Sequence, residues 1–128
     1  MIRVILVGGL CQTVHPSILD LIEELDMVVI DDDIYMGSRY FANDAEVSGH
    51  PIESLADRYL KRVPTCPTKG DWETSWADYV IGMVNRNQAQ GIITLLIRFC
   101  LPHLCYYPDV KREWFFAPGH CYQAGSFI

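Results

Sequence analysis

The run Ile92-Ile93-Thr94-Leu95-Leu96-Ile97 constrains the fold more than any other stretch of the chain. It carries no charge, is rich in β-branched side chains, and has the length of a strand covered on both faces, as strands of parallel sheets are. A second such run, Ile2–Val7, meets Gly8–Gly9, where the lack of Cβ bulk allows a sharp exit from the strand. Between them, Pro16 suits a first helical turn, and Ile18, Leu21, Ile22 and Leu25 fall at helical spacing with Asp20, Glu23 and Glu24 interposed. Met27–Ile30 is a further β-rich run, expected to stop at Asp31-Asp32-Asp33, because carboxylates favour turns and are costly to bury. The order β-α-β with apolar strands predicts an α/β fold, an open and mostly parallel sheet with flanking helices.

The stretch 34–49 has no period and reads as a long ordered loop, a kind that is often functional. Pro51 opens a helix with Ile52, Leu55, Ala56, Tyr59, Leu60 and Val63 on one face, which Pro64, Pro67 and Gly70 break. From Asp71, a plausible N-cap, Trp72, Trp76, Tyr79, Val80, Met83 and Val84 predict a helix ending near Gln90, and Gly91 follows as a stop. After Arg112 the sequence shows neither period. We therefore expect an α/β domain over residues 1–112 that is incomplete at its carboxyl end, followed by an aperiodic tail over 113–128.

A chain of 128 residues, half of them apolar, suits one domain with a packed core. Its formal charge of -6 gives no basic footprint, which excludes a surface built to grip nucleic-acid phosphates. No apolar run reaches membrane-spanning length, and the chain reads as cytoplasmic. Its five cysteines are an odd number, and in that compartment thiols more often serve metals or catalysis than disulfides.

Open parallel sheets place their sites beyond the carboxyl ends of the strands, where Cys11, Asp31–Asp33 and Cys100 all fall. Thiolates are the soft ligands that iron–sulfur clusters need, and the alternative is that both cysteines are small buried hydrophobes. Cys100-x2-His103-x-Cys105 has the form of a zinc half-site, though no second pair stands at customary spacing and Pro102 restrains the geometry. Cys66 and Cys121 read as incidental, and His15 and His50, each before a proline, as loop residues. The three aspartates fit either a Mg²⁺ site, as in receiver-like domains, or a solvated turn capping local amides. Arg39 fits either an anionic ligand or an ion pair with those aspartates.

Five segments in order carry a family resemblance. They are Val7-Gly8-Gly9-Leu10-Cys11-Gln12, Val28-Val29-Ile30-Asp31-Asp32-Asp33, Gly37-Ser38-Arg39-Tyr40-Phe41, Gly49-His50-Pro51-Ile52 with Leu55–Leu60, and Phe99-Cys100-Leu101-Pro102-His103. Together they resemble the last domain of benzoyl-CoA reductase and 2-hydroxyacyl-CoA dehydratase subunits over about residues 2–112, closest to a benzoyl-CoA reductase small-subunit type. The resemblance implies a flavodoxin-like domain of an iron–sulfur subunit that works beside a second homologous subunit. It further implies an ATP-dependent iron–sulfur activator and a CoA-thioester substrate. Low-potential electrons then either reduce an aromatic thioester or drive loss of water from a 2-hydroxyacyl one. Cys100 matches a cysteine that the family uses as a ligand of a [4Fe-4S] cluster, and Cys11 matches a second position. A third ligand is expected from outside this chain. Tyr35 stands where many relatives carry a cysteine, and the change after Arg112 suggests a truncated or frame-shifted reading that is inactive by itself. The alternatives are an electron-transfer module without CoA chemistry and a Mg²⁺-binding receiver-like domain.

Overall fold

Alternation along the first strand divides the core in two. In β1 (Ile2–Gly8), Val4 and Leu6 face one side of the sheet, while Ile5 and Val7 face the other. The computed structural model describes residues 1–8, 14–47, 49–66, 75–97 and 100–116. It shows three parallel strands in the order β2-β1-β3, with β2 at Met27–Asp33 and β3 at Gly91–Leu95. Helix α1 (Pro16–Glu24) covers the Val4 and Leu6 side through Ile22. Helices α4 (Trp76–Asn87) and α5 (Leu101–Phe116) cover the other side through Trp76, Val80, Met83, Val84, Val110 and Trp114. Two short segments lie between, α2 (Ser38–Phe41) and α3 (Pro51–Asp57), and α3 continues as a π-helical turn over Arg58–Arg62. The α/β fold with an open parallel sheet is therefore the one observed.

Helix ends follow their local chemistry. His15 caps α1, accepting from the Ser17 amide at 3.3 Å, and Pro16 fills the first turn, where an N–H would have no partner. The cap of α4 is Ser75, four residues beyond the expected Asp71, which lies outside the described residues together with Trp72. That helix closes on Gln88 in the left-handed conformation, with φ of 51°.

Two departures from the sequence reading matter for the site. The strand β2 does not stop at Ile30 but runs through all three aspartates. Its pairing with β1 slips by one residue, Val4 opposite Val29 and Ile5 opposite Asp31, so a bulge at Ile30 turns Ile30 and Asp31 to the same α4-facing side. Helix α5 is the second, since the sequence reading placed no helix over residues 101–112 and an aperiodic tail after Arg112. It continues to Phe116, and Trp114 is buried against α4, while residues 117–128 lie outside the described residues.

Strand order sets where a site can form. The chain passes from β1 to β2 on one flank and arrives at β3 on the other, so the carboxyl ends of β1 and β3 make a topological switch point. Gly8 pairs with Leu95 there, and a Cβ on Gly8 would stand 2.0 Å from the Leu95 carbonyl oxygen, so only glycine lets the strands close at this rim.

Candidate functional site

Cys100 occupies the rim beyond β3. Its amide donates to the Ile97 carbonyl at 3.0 Å and its carbonyl accepts from Leu104 at 3.1 Å, which makes it the entry residue of α5. Its thiol is half-buried, and Sγ lies 3.2 Å from Nδ1 of His103. His103 is buried at 2% exposure and meets the ring edges of Trp76, at 5.3 Å between centroids, and Tyr35, at 6.4 Å.

Behind these rings a buried ion pair fixes the floor. Asp33 Oδ2 accepts from Arg39 Nη2 at 2.7 Å and from Trp76 Nε1 at 2.8 Å. Oδ1 lies 2.5 Å from the same Arg39 nitrogen, but no described N–H points at it, so it is paired by charge and not by a hydrogen bond. Arg39 also donates to the carbonyls of Pro64 (2.6 Å) and Thr65 (2.9 Å), and its guanidinium lies over the rings of Tyr35 and Tyr79. Burial alone would lower the Arg39 pKa, yet the adjacent Asp33 carboxylate outweighs it and holds the value above the ordinary one. Burial, and next the Asp33 charge, push the Tyr79 phenol up as well.

The remaining aspartates are committed to structure. Asp31 accepts from Asn87 at 2.7 Å and from the Asp32 amide, while Asp32 accepts from the amides of Ile34 and Ser38 and from the Ser38 hydroxyl. The Asp32 carboxylate fills the space beside Gly37, where a Cβ would meet Oδ1 at 2.0 Å. Of the two readings of Arg39, the ion pair with the aspartate run is the one observed. Of the solvated-turn reading, the capping of local amides by one aspartate is observed at Asp32, but the run is strand and Asp33 is 2% exposed. Burial is tolerable here because the charge is paired and hydrogen-bonded.

Of the two cysteines singled out in the sequence, Cys100 is at the expected rim, and Cys11 lies outside the described residues. Cys11 follows Gly8 by three residues, a reach of at most about 11 Å, and Cys100 follows Leu95 by five, from the adjacent strand end. Sequence reasoning missed Cys66. It is buried, and its sulfur lies 2.7 Å from the Tyr35 hydroxyl, beside Arg39. No local pattern signalled that placement, because the two residues meet across 31 positions of chain. His103 was visible in the Cys100-x2-His103 spacing, although the spacing suggested a zinc ligand and the structure gives a partner of the thiol. Cys105 is exposed on α5. A shallow cleft of about 240 Å³, lined by Leu6, Val14, Val29, Asp32, Ile34 and Met36 among others, opens on the α1 side of the same rim.

A partly accessible sulfur at a switch point, anchored at a helix start and approached by a buried ring nitrogen, suits a soft-metal ligand. Comparison with known proteins bears on the same stretch. The chain is 29% identical over 112 residues to the (R)-phenyllactyl-CoA dehydratase beta subunit of Clostridium sporogenes, covering 88% of this chain and 29% of that protein. It is 28% identical over 107 residues to a benzoyl-CoA reductase subunit of Thauera aromatica, covering 83% and 28%. It is 27% identical over 117 residues to the beta subunit of (R)-2-hydroxyglutaryl-CoA dehydratase of Acidaminococcus fermentans, covering 84% and 29%. The chain thus spans less than a third of the length of these relatives. The model of one family matches residues 1–118, so the match takes in the end of α5 as well as the strands and the rim, and the chain belongs to the 2-hydroxyglutaryl-CoA dehydratase D-component family.

Proposed function

We propose that this chain is the carboxy-terminal-type α/β domain of an iron–sulfur subunit that acts on a CoA thioester, as a 2-hydroxyacyl-CoA dehydratase or a benzoyl-CoA reductase. The observation that carries the reading is Cys100 at the switch point, its sulfur half-buried at the start of α5, in a chain whose family membership spans residues 1–118. Cys100 and Cys11 would hold a [4Fe-4S] cluster, with a third ligand supplied from outside the chain. When bound, such a cluster supplies low-potential electrons one at a time.

The chain's own residues do the positioning. Asp33, Arg39 and Trp76 brace the rim, Gly8 lets β1 and β3 close beneath it, and the cleft beside Asp32 offers apolar surface to a ligand. The relatives are dehydratase and reductase subunits by name, which supports an enzyme complex with a second homologous subunit. A cytoplasmic location and an ATP-dependent activator complete the reading, on which the chain alone has no turnover. Asp31–Asp33, all engaged with protein partners, make the receiver-like alternative the weaker one.

Anaerobic reconstitution with ferrous iron and sulfide tests the assignment. A brown, thiolate-ligated chromophore that Cys100→Ser and Cys11→Ser each diminish is the expected result, and a chain that stays colourless removes the iron–sulfur reading. Spectral perturbation by an aryl or 2-hydroxyacyl CoA thioester separates thioester chemistry from electron carriage alone.

A further inference from the structure

We propose that His103 donates a hydrogen bond from Nδ1 to the ligand sulfur of Cys100 and so raises the reduction potential of the group that Cys100 holds. The inference rests on the reading of Cys100 as a ligand and assigns a new role to a residue of this chain.

A metal-bound cysteine sulfur is a thiolate, an acceptor only, so a ring nitrogen 3.2 Å from it must carry the proton. The ring has little freedom to do otherwise. His103 is 2% exposed and is held edge-on by Trp76, at an interplanar angle of 87°, and by Tyr35, at 72°. Trp76 is itself pinned by its indole hydrogen bond to Asp33, so the imidazole is oriented by a rigid chain of contacts running back to β2. An N–H aimed at sulfur stabilises the more negative, reduced state of a thiolate-ligated centre, and hydrogen bonds of this kind are among the protein's levers on potential. His103 is thus a positioning residue, acting through Cys100.

The test compares the chain with its His103→Phe and His103→Asn variants after anaerobic reconstitution with ferrous iron and sulfide. Midpoint potentials are read by spectroscopically monitored reductive titration. Phenylalanine keeps the volume and the edge contacts but has no N–H, and asparagine returns a donor near the Nδ1 position. The expected result is a more negative midpoint in His103→Phe and recovery toward the parent value in His103→Asn. An unchanged midpoint in His103→Phe, with a chromophore that Cys100→Ser still diminishes, overturns the role of His103 alone. A chromophore indifferent to Cys100→Ser, or none in the parent chain, overturns both this inference and the reading of Cys100 as a ligand. Should His103→Phe fail to fold, a more negative midpoint in Trp76→Phe, whose ring edge remains but whose tether to Asp33 is lost, supports the chain of contacts, and an unchanged one overturns it.

Discussion

Asp33 shows how one carboxylate decides the local architecture. It is buried with Arg39, takes the Trp76 indole N–H, and through Arg39 gathers the Pro64 and Thr65 carbonyls onto the sheet. Removing one partner of such a pair leaves a buried charge uncompensated, which costs about 3–5 kcal/mol. Asp33→Asn is therefore expected to lower the stability of the chain by that amount in urea denaturation. The double variant Asp33→Asn with Arg39→Met should lose less than the sum of the two single losses, since each group is costly chiefly when left alone. Strict additivity in that cycle would show that the pair is not coupled. The sequence carried part of this. It offered an ion pair between Arg39 and the aspartate run as one of two readings. It did not show which aspartate turned inward, because that depends on the one-residue slip at Ile30, a property of the pairing with β1 and not of either strand by itself. Cys66 was illegible for a related reason, as it reaches Tyr35 across 31 positions of chain.

At the scale of elements, the strands and the amphipathic helices were legible because their periods are strong, and their ends were not. The strand β2 outruns its apolar residues because Asp33 finds a cation and an indole on α2 and α4, compensation that no local propensity contains. Helix α5 was not legible at all, with a weak helical period and Pro108 inside it, and it runs past Arg112 because Trp114 reaches the core cluster built by α4. The glycine after β1 is a sharper case. At Gly8, φ is 151° and a Cβ would strike the Leu95 carbonyl, so Gly8→Ala must part β1 from β3 at the rim. At Gly49, φ is 70° and nothing lies within 4 Å, so Gly49→Ala meets only backbone strain of about 1–2 kcal/mol. Thermal denaturation should find Gly49→Ala folded with a modestly lower midpoint and Gly8→Ala without a cooperative transition. Equal behaviour of the two would mean that the close approach at the rim does not govern folding.

For the whole molecule, the telling feature is a helix whose apolar side chains stay exposed. No residue of α3 is buried, and Ile52, Leu55, Tyr59 and Leu60 stand exposed along it and its π-helical extension, with Phe41 also exposed on α2. The charged residues at the end of the same segment are engaged. Arg58 donates to the Tyr40 and Asn43 carbonyls, and Arg62 pairs with Glu46 and Asp57, whose carboxyl is held below its usual range by hydrogen bonds from Lys61 and Arg62. These contacts fix the apolar face outward. Burying Ile52 and Leu60 of both copies in a two-fold dimer would gain roughly 6–12 kcal/mol gross. Association costs about 4–15 kcal/mol in lost freedom, so the two nearly balance and the dimer should be weak. We expect sedimentation velocity to show self-association of the isolated chain growing over tens to hundreds of micromolar. Ile52→Lys with Leu60→Lys should return it to monomer while leaving the melting temperature within a few degrees, because neither side chain packs into the core. A parent chain that stays monomeric across that range would show that the outward face is tolerated by solvent alone.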